Sequence, residues 1–369
     1  MRSVRVHLGE RSYSISIGRG ALGRLGQAAK RFFPGGRALV VTDRNVAPIL
    51  GERVLRALGR GGCDASLCAV PAGERSKSLA QLSKLFDRLA VLRIERGCGV
   101  VALGGGVVGD LAGFAAAAYL RGLPYIQVPT SLLALVDSAV GGKTAVDHKA
   151  GKNLIGAFYQ PAAVIADVAA LRTLPERHYR AGLAEVVKHA AIADPRLFSF
   201  LENNAARVRR REAGVMERVV AVNCRIKARV VEADEREARV RETLNFGHTL
   251  GHAVEMMAGY SSSLYHGEAV AIGMAAAARL SVSAGKCGAP DAERLVVLLE
   301  RFGLPVAMRK PPATAALRSA LARDKKTRKG MPKFVLMDRI GSVTTGREVP
   351  PSGWRAALAG RAAPAGGGR

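Results

Sequence analysis

A glutamate and two histidines in the second half of the sequence are candidate ligands for a divalent metal ion. Glu185 lies in Gly-Leu-Ala-Glu-Val-Val-Lys-His, His248 in Leu-Asn-Phe-Gly-His-Thr-Leu-Gly-His, and His266 in His-Gly-Glu-Ala-Val. One carboxylate and two imidazoles hold such an ion and leave coordination positions open for a substrate. His248 and His252 share a helix face, but Thr249 stands where the zinc-protease motif HExxH has its glutamate. Each histidine alone also fits a purely structural role, whereas three of the chain's seven histidines fall in this one segment.

A glycine-rich loop between an apolar strand and a helix is typical of a dinucleotide site. The predicted strand 99–103 runs into Gly-Gly-Gly-Val-Val-Gly-Asp at 104–110, and a helix is predicted over 111–120. Glycines let the backbone turn tightly and approach a pyrophosphate, while the helix N-terminus supplies free N–H groups. The alternative interpretation is tight packing of the strand against the helix.

Asp43 directly follows another predicted strand, 38–42. A carboxylate at a strand end is placed to hold the hydroxyl pair of a ribose. A helix cap formed together with Asn45 is an equally good explanation of Asp43 when it is considered alone.

Four lysines lie in segments that suit an anionic substrate, namely Lys143 in Gly-Gly-Lys-Thr, Lys152 in Gly-Lys-Asn-Leu, Lys188 and Lys227. Each ammonium is a compact charge with several donors, which fits carboxylate and phosphate groups. A lone lysine is otherwise explained by solvation at the surface. Asp137 occupies the first glycine position of the P-loop pattern, which excludes that reading of Gly-Gly-Lys-Thr.

The composition excludes several classes of protein. The net charge of +26 suggests nucleic-acid binding, but the arginines are spread along predicted helices such as 206–229, with no aromatic interleaving. The apolar stretches are too short or too interrupted to span a bilayer. Five cysteines without CxxC spacing indicate neither a disulfide framework nor a zinc knuckle. We expect no nucleic-acid partner, no membrane partner and a cytoplasmic location.

The elements that must position these residues change in kind along the chain. Short β-rich runs such as 37–42, 66–70 and 125–128 alternate with amphipathic helices, which indicates an α/β domain with a parallel sheet. Beyond Leu171 the strand signal fades and helical patterns dominate. We therefore predict a Rossmann-like domain over 1–170, a mainly α-helical domain over 171–360 and a disordered tail over 361–369.

From about residue 35 to 340 the sequence resembles the 3-dehydroquinate synthase family. The segments that carry the resemblance are Pro-Ala-Gly-Glu-Arg-Ser-Lys-Ser (71–78), Gly-Gly-Gly-Val-Val-Gly-Asp-Leu-Ala-Gly-Phe (104–114), Pro-Thr-Ser-Leu-Leu-Ala-Leu-Val-Asp-Ser-Ala-Val-Gly-Gly-Lys-Thr (129–144), Gly-Lys-Asn-Leu-Ile-Gly-Ala-Phe (151–158), Arg-Glu-Thr-Leu-Asn-Phe-Gly-His-Thr-Leu-Gly-His (241–252) and His-Gly-Glu-Ala-Val (266–270).

The resemblance implies specific roles for individual residues. The implied ligands of a zinc or cobalt ion are Glu185, His248 and His266. The implied NAD-binding residues are Asp43, Asn45, Glu74, Lys77, Gly104, Gly105, Gly106, Val107, Gly109, Asp110, Thr130, Ser131, Asp137, Lys143 and Lys152. The implied catalytic residues are Lys143, Lys188, Lys227, Arg241, Asn245 and His252, and the implied substrate contacts are Lys152, Asn153, Lys333 and, across a dimer interface, Arg121.

The resemblance also implies the reaction and its rivals. A homodimer would convert 3-deoxy-D-arabino-heptulosonate 7-phosphate to 3-dehydroquinate and phosphate, with NAD reduced and reoxidised within one turnover. Sister sugar-phosphate cyclases, which make inosose, valiolone or amino-dehydroquinate products, are related alternatives. A metal-dependent polyol dehydrogenase and a basic nucleic-acid-binding protein are rivals of other classes, distinguished by net NADH formation and by salt-dependent DNA binding.

Overall fold

A computed structural model describes residues 1–236, 240–259, 263–322 and 332–361. The strands are β1 (Arg2–Val6), β2 (Tyr13–Gly18), β3 (Arg37–Asp43), β4 (Asp64–Val70), β5 (Gly99–Gly104), β6 (Tyr125–Pro129), β7 (Lys143–His148), β8 (Gly151–Phe158), β9 (Ala163–Asp167), β10 (Phe334–Arg339) and β11 (Ser342–Arg347). The α-helices are α1 (Leu25–Phe32), α2 (Glu52–Arg60), α3 (Leu79–Val91), α4 (Gly106–Ala118), α5 (Glu176–Ala193), α6 (Pro195–Asn203), α7 (Ala205–Arg209), α8 (Ala213–Ala233), α9 (His248–Met257), α10 (His266–Ser283), α11 (Ala289–Arg301), α12 (Thr314–Ala322) and α13 (Trp354–Leu358).

The chain forms two compact units. The first contains Met1–Pro175 and Ala213–Arg236, and the second contains Glu176–Glu212 and Glu237–Arg369. The predicted division of the chain at residue 170 stays a prediction. Apart from Arg361, the predicted tail 361–369 lies outside the described residues.

A seven-stranded sheet forms the centre of the first unit, in the order β1-β2-β9-β6-β5-β3-β4. All neighbours in it are parallel except β1, which pairs antiparallel with β2. Every residue of β5 and β6 is buried, as expected of central parallel strands covered on both faces. The predicted α/β fold with a parallel sheet is confirmed.

Helices cover both faces of this sheet. One apolar cluster joins α1 and α2 to the strands through Leu25, Val54 and Val101. The opposite cluster joins α3 and α4 to the strands through Leu85 and Leu111. The glycine loop is thereby fixed at the end of a rigid, fully buried strand.

One predicted helix is broken in the structure. The segment 206–229 was expected to be continuous, but α7 ends at Arg209 and α8 begins at Ala213. Arg211, between them, has a φ of 58°, which a right-handed helix does not accommodate. The expectation of one helix over this segment was therefore wrong.

Helix α8 packs within the first unit. The backbone N–H groups of His7 and Arg19 donate to the carboxylates of Glu232 and Glu217 on this helix, at 2.7 and 2.8 Å. The helix thus covers the β1-β2 end of the sheet.

The second unit is built mainly from helices, with the β10-β11 hairpin beside them. Its α9 and α10 cross closely because their contact is made by glycines. A Cβ on Gly273 would lie 1.9 Å from the carbonyl oxygen of Gly247, and one on Gly251 would lie 2.9 Å from that of Ala269. Among the described helices, none has the length and apolarity needed to cross a bilayer.

Candidate functional site

The residues predicted to bind a dinucleotide lie at the carboxyl ends of three neighbouring strands. Asp43 ends β3, the glycine loop begins at the end of β5, and Thr130 follows β6. The chain runs from β3 outward to β4 and then returns to place β5 on the other side of β3. In open α/β sheets, ligands bind outside the carboxyl ends of the strands at such a reversal.

The glycine loop has the geometry of an anion site. Helix α4 begins at Gly106. Its N-cap residue is Gly105, so no N-cap side chain accepts a hydrogen bond from the first N–H groups of the helix. A Cβ on Gly109 would approach Oε1 of Gln127 to 2.9 Å, so this glycine permits close packing of α4 on β6. The packing interpretation therefore applies to Gly109, while dinucleotide binding by the other glycines of the loop stays a prediction.

The ammonium of Lys77 contacts several predicted NAD-binding residues. Its buried ammonium lies 2.7 Å from Oδ2 of Asp110 and 3.8 Å from Oε1 of Glu74, and it donates to Oδ1 of Asn153. Lys152 lies 3.7 Å from the same Glu74 oxygen. Burial raises the pKa of Asp110 to about 6, against the opposing effect of the Lys77 charge.

Asp43 caps a turn. Its Oδ1 accepts from the backbone N–H groups of Asn45 and Val46 at 2.8 and 3.0 Å. A role of Asp43 in holding a ribose stays a prediction. Ser131, after β6, accepts from the N–H of Ala134 at 3.3 Å and begins the turn that carries Asp137.

The loop before Lys143 needs its glycines. Gly141 and Gly142 have φ values of 103° and 64°, in the region that favours glycine. They bring the chain into β7, whose first residue, Lys143, is exposed. Asn153 is also left-handed, with a φ of 54°, and its N–H donates to Oδ1 of Asp147 at 2.8 Å.

The predicted metal ligands meet inside the second unit. Oε1 of Glu185, on α5, lies 3.6 Å from Nε2 of His248 and 3.7 Å from Nε2 of His266. An ion held tetrahedrally by bonds of 2.0–2.1 Å separates its ligand atoms by about 3.4 Å. The separation of the Glu185 oxygen from each of the two histidine nitrogens is therefore close to that expected around a zinc-sized ion.

Both histidines are anchored through Nδ1. The Nδ1 of His248 lies 3.2 Å from the carbonyl oxygen of Phe246, and that of His266 lies 2.9 Å from Oε2 of Glu255. Burial by itself lowers the pKa of His266, but its hydrogen bonds to Glu185 and Glu255 and their charges outweigh burial and raise that pKa to about 9. Without a metal ion, the protonated form of the ring is therefore favoured.

His252 and Lys188 complete the neighbourhood of these ligands. Ring nitrogens of His252, His248 and His266 all lie within 4.8 Å of one another. The fully buried Lys188 ammonium contacts Oε2 of Glu185 and offsets its negative charge. Sequence patterns identified all these residues but missed Glu255, whose signal is an acid seven residues after His248 on one helix face.

The remaining predicted site residues are distributed over both units. In the first, Lys227 on α8 donates to Oδ1 of Asp137, and Arg121 is exposed after α4. In the second, Arg241 is buried in the short helical segment Val240–Asn245, which ends at the half-buried predicted catalytic residue Asn245, and Lys333 contacts Glu348. The roles of these residues stay predictions.

Two family models match consecutive parts of the sequence. The model of the 3-dehydroquinate synthase N-terminal region matches residues 67–181, and that of its C-terminal region matches 182–327. The chain belongs to the 3-dehydroquinate synthase family. A 3-dehydroquinate synthase from Pelobacter propionicus is 49% identical over 92% of this chain and 94% of its own length. One from Halorhodospira halophila is 50% identical, over 95% and 97%.

Solved structures of sugar-phosphate cyclases share the fold of this 3-dehydroquinate synthase family member. The 2-epi-5-epi-valiolone synthase of Streptomyces hygroscopicus, solved with NAD+ and Zn2+ bound, has a TM-score of 0.86 and 30% identity over 95% of this chain and 97% of its own. A 2-deoxy-scyllo-inosose synthase complexed with carbaglucose-6-phosphate, NAD+ and Co2+ has a TM-score of 0.82 and 26% identity, over 94% and 97%. The expected Rossmann-like domain followed by a helical domain is confirmed.

Proposed function

We propose that this protein is a 3-dehydroquinate synthase, which converts 3-deoxy-D-arabino-heptulosonate 7-phosphate to 3-dehydroquinate and phosphate in the shikimate pathway. The observation that carries this proposal is near-50% identity to 3-dehydroquinate synthases over more than nine-tenths of the chain. The cyclases solved as structures share the fold at lower identity, up to 30% among those compared above. This difference favours the dehydroquinate branch over its sister cyclases.

The two cofactors of the proposed reaction fit residues of this chain. The uncapped N-terminus of α4, beside Gly105, suits the pyrophosphate of NAD. Glu185, His248 and His266 present one oxygen and two nitrogens at separations that suit zinc or cobalt. When bound, NAD takes up and returns a hydride, and the metal ion polarises the oxygen on the reacting carbon.

The chain's own residues bind the anionic substrate and move protons. Lys143, Lys152 and Arg241 supply positive charge for its carboxylate and phosphate groups. Lys188 holds the Glu185 carboxylate in place through their buried contact. His252, whose ring centre lies 5.0 Å from that of His248, is placed to relay a proton through water.

We also propose that the enzyme is a homodimer in which Arg121 of one protomer reaches across the interface to the substrate bound by its partner. Leu120, Arg121 and Gly122 have φ values of 51°, 66° and 133°, and such strain at non-glycine residues collects at functional positions. A Cβ on Gly122 would lie 3.1 Å from the hydroxyl of Tyr159, so this loop lies beside the residue that follows Phe158 in the sequence. Leu120 and Phe158 are 40% and 45% exposed, and their burial would stabilise a dimer. Light scattering should give twice the mass of the chain, and a monomeric mass at assay concentration would contradict this proposal.

One assay tests the function. Purified protein with metal, a trace of NAD and 3-deoxy-D-arabino-heptulosonate 7-phosphate should release one phosphate per 3-dehydroquinate without accumulating NADH. Glucose 6-phosphate is the matched control, because its carba analogue is bound in the inosose synthase and it lacks a carboxylate. Chelation should abolish turnover, and zinc or cobalt should restore it. Stoichiometric NADH would instead identify a dehydrogenase, and turnover of the control alone would identify a sister cyclase.

A further inference from the structure

Glu255 is a buried acid that the proposed reaction does not use. It lies on α9, seven residues after His248, so that both side chains project from one face of the helix. Its side chain is 9% exposed, and its Oε2 lies 2.9 Å from Nδ1 of His266 at the start of α10. A buried carboxylate in this position requires a charge or a hydrogen-bond donor beside it.

The contact with Glu255 fixes which nitrogen of His266 is available. An ionised carboxylate only accepts hydrogen bonds, so Nδ1 of the ring carries the proton and donates it. When the ring is neutral, as metal binding requires, Nε2 keeps its lone pair, on the side of the ring where Glu185 Oε1 lies 3.7 Å away. His248 is arranged in the same way, with the Phe246 carbonyl in place of a carboxylate.

The two histidines differ in how strongly packing restrains them. Each is the first residue of its helix, where the partial positive charge of the N-terminus weakens a cation ligand. The side chain of His266 is 35% exposed, against 11% for His248, so packing restrains His266 less. A carboxylate on Nδ1 offsets both effects, since it raises the basicity of the ring and fixes its orientation.

We infer that Glu255 is a positioning residue for the metal ion, acting through His266, and this inference rests on the metal site of the proposed function. Such partners of ligating histidines typically change metal affinity by about 10- to 100-fold when they are removed. A purely structural role, in which Glu255 only joins α9 to α10, would instead lower the stability of the protein and leave metal affinity unchanged.

The test is the zinc affinity of the metal-free full-length protein, measured by competition with a chromophoric chelator. Glu255→Ala should weaken zinc binding by about 10- to 100-fold, and Glu255→Gln should weaken it less, because the amide oxygen accepts the same hydrogen bond without the charge. Glu202→Gln is the matched control. It breaks a carboxylate pair with Arg294, at 2.8 Å, elsewhere in the second unit, and should bind zinc as the parent does.

The cobalt spectrum and the zinc affinity of the parent protein distinguish failure of this inference from failure of the proposed metal site. The visible spectrum of the cobalt form should change in Glu255→Ala and not in Glu202→Gln, because only the first substitution frees a ligand ring. Parent-like zinc affinity of Glu255→Ala would overturn the inference, and parent-like affinity of the isosteric Glu255→Gln would do so if the alanine variant fails to fold. Absence of zinc binding by the parent protein would overturn the proposed metal site itself.

Discussion

Substituting Gly273 by alanine should disturb the metal site without touching a ligand. The Cβ added to α10 would lie 1.9 Å from the carbonyl oxygen of Gly247, whereas real Cβ atoms essentially never approach a heavy atom closer than 3.0 Å. The obstacle is backbone, so no side chain can rotate away. The two helices must separate by at least 1.1 Å at this point, and Gly247 directly precedes His248, the first residue of α9.

This separation sets the size of the expected effects. Overpacking of this kind typically lowers the free energy of unfolding by about 1–3 kcal/mol, which corresponds to a fall in Tm of roughly 2 to 12 °C. The ligand distances of a metal site agree with their ideal values to within about 0.2 Å. A displacement of His248 relative to His266 by about 1 Å should therefore weaken zinc binding by about tenfold or more.

Thermal unfolding and chelator competition measure the two quantities. Gly59→Ala on α2 is the matched control, because its added Cβ would meet no atom within 4 Å. It should leave zinc affinity unchanged and leave stability equal or raise it by about 0.5–1 kcal/mol. If Gly273→Ala retained the Tm and zinc affinity of the parent, the glycine contact would not be what holds the two histidines in place.

Three further predictions concern single side chains. Elemental analysis should find His248→Ala without metal and His252→Ala with its metal but about a hundredfold slower in turnover; the reverse metal contents would mean that the ligand assignment is wrong. The resemblance implies both a catalytic and an NAD-binding role for Lys143; we expect Lys143→Ala to lower turnover while calorimetry finds NAD binding intact, and loss of NAD affinity would instead support the NAD-binding role. Burial raises the pKa of Cys63 to about 11 and that of Cys224 to about 12, so at pH 8 no more than about one in a thousand of these thiols is ionised. Both should resist a disulfide reagent until the protein is unfolded, and rapid reaction of either in the native protein would contradict their burial.

The central strands could be predicted from the sequence because buried parallel strands form continuous apolar runs. The predicted runs 37–42, 66–70 and 99–103 fall within β3, β4 and β5. The β7-β8 hairpin was missed, since its residues are mostly half-buried or exposed and lysines and glycines interrupt the apolar pattern. Order in the sheet also could not be derived, because pairing between strands distant in sequence depends on packing of the helices.

The candidate metal ligands were recognisable because each lies in a distinctive motif, whereas Glu255 was not. No spacing rule relates Glu255 to His266, eleven residues later, because a separate helix carries each. The close crossing of α9 and α10 at Gly251 and Gly273 brings them together. A local pattern contains no information about such a crossing.

The membership of α8 in the first unit affects how the protein folds during synthesis. All strands of the seven-stranded sheet are synthesised before residue 175. Helix α8, whose side chains accept hydrogen bonds from the backbone N–H groups of His7 and Arg19, is synthesised only after α5, α6 and α7. A nascent chain that ends at Pro175 therefore exposes the surface of β1 and β2 against which α8 later packs. The first unit is completed only when part of the second has already been made, so a single cut in the gene cannot separate the two.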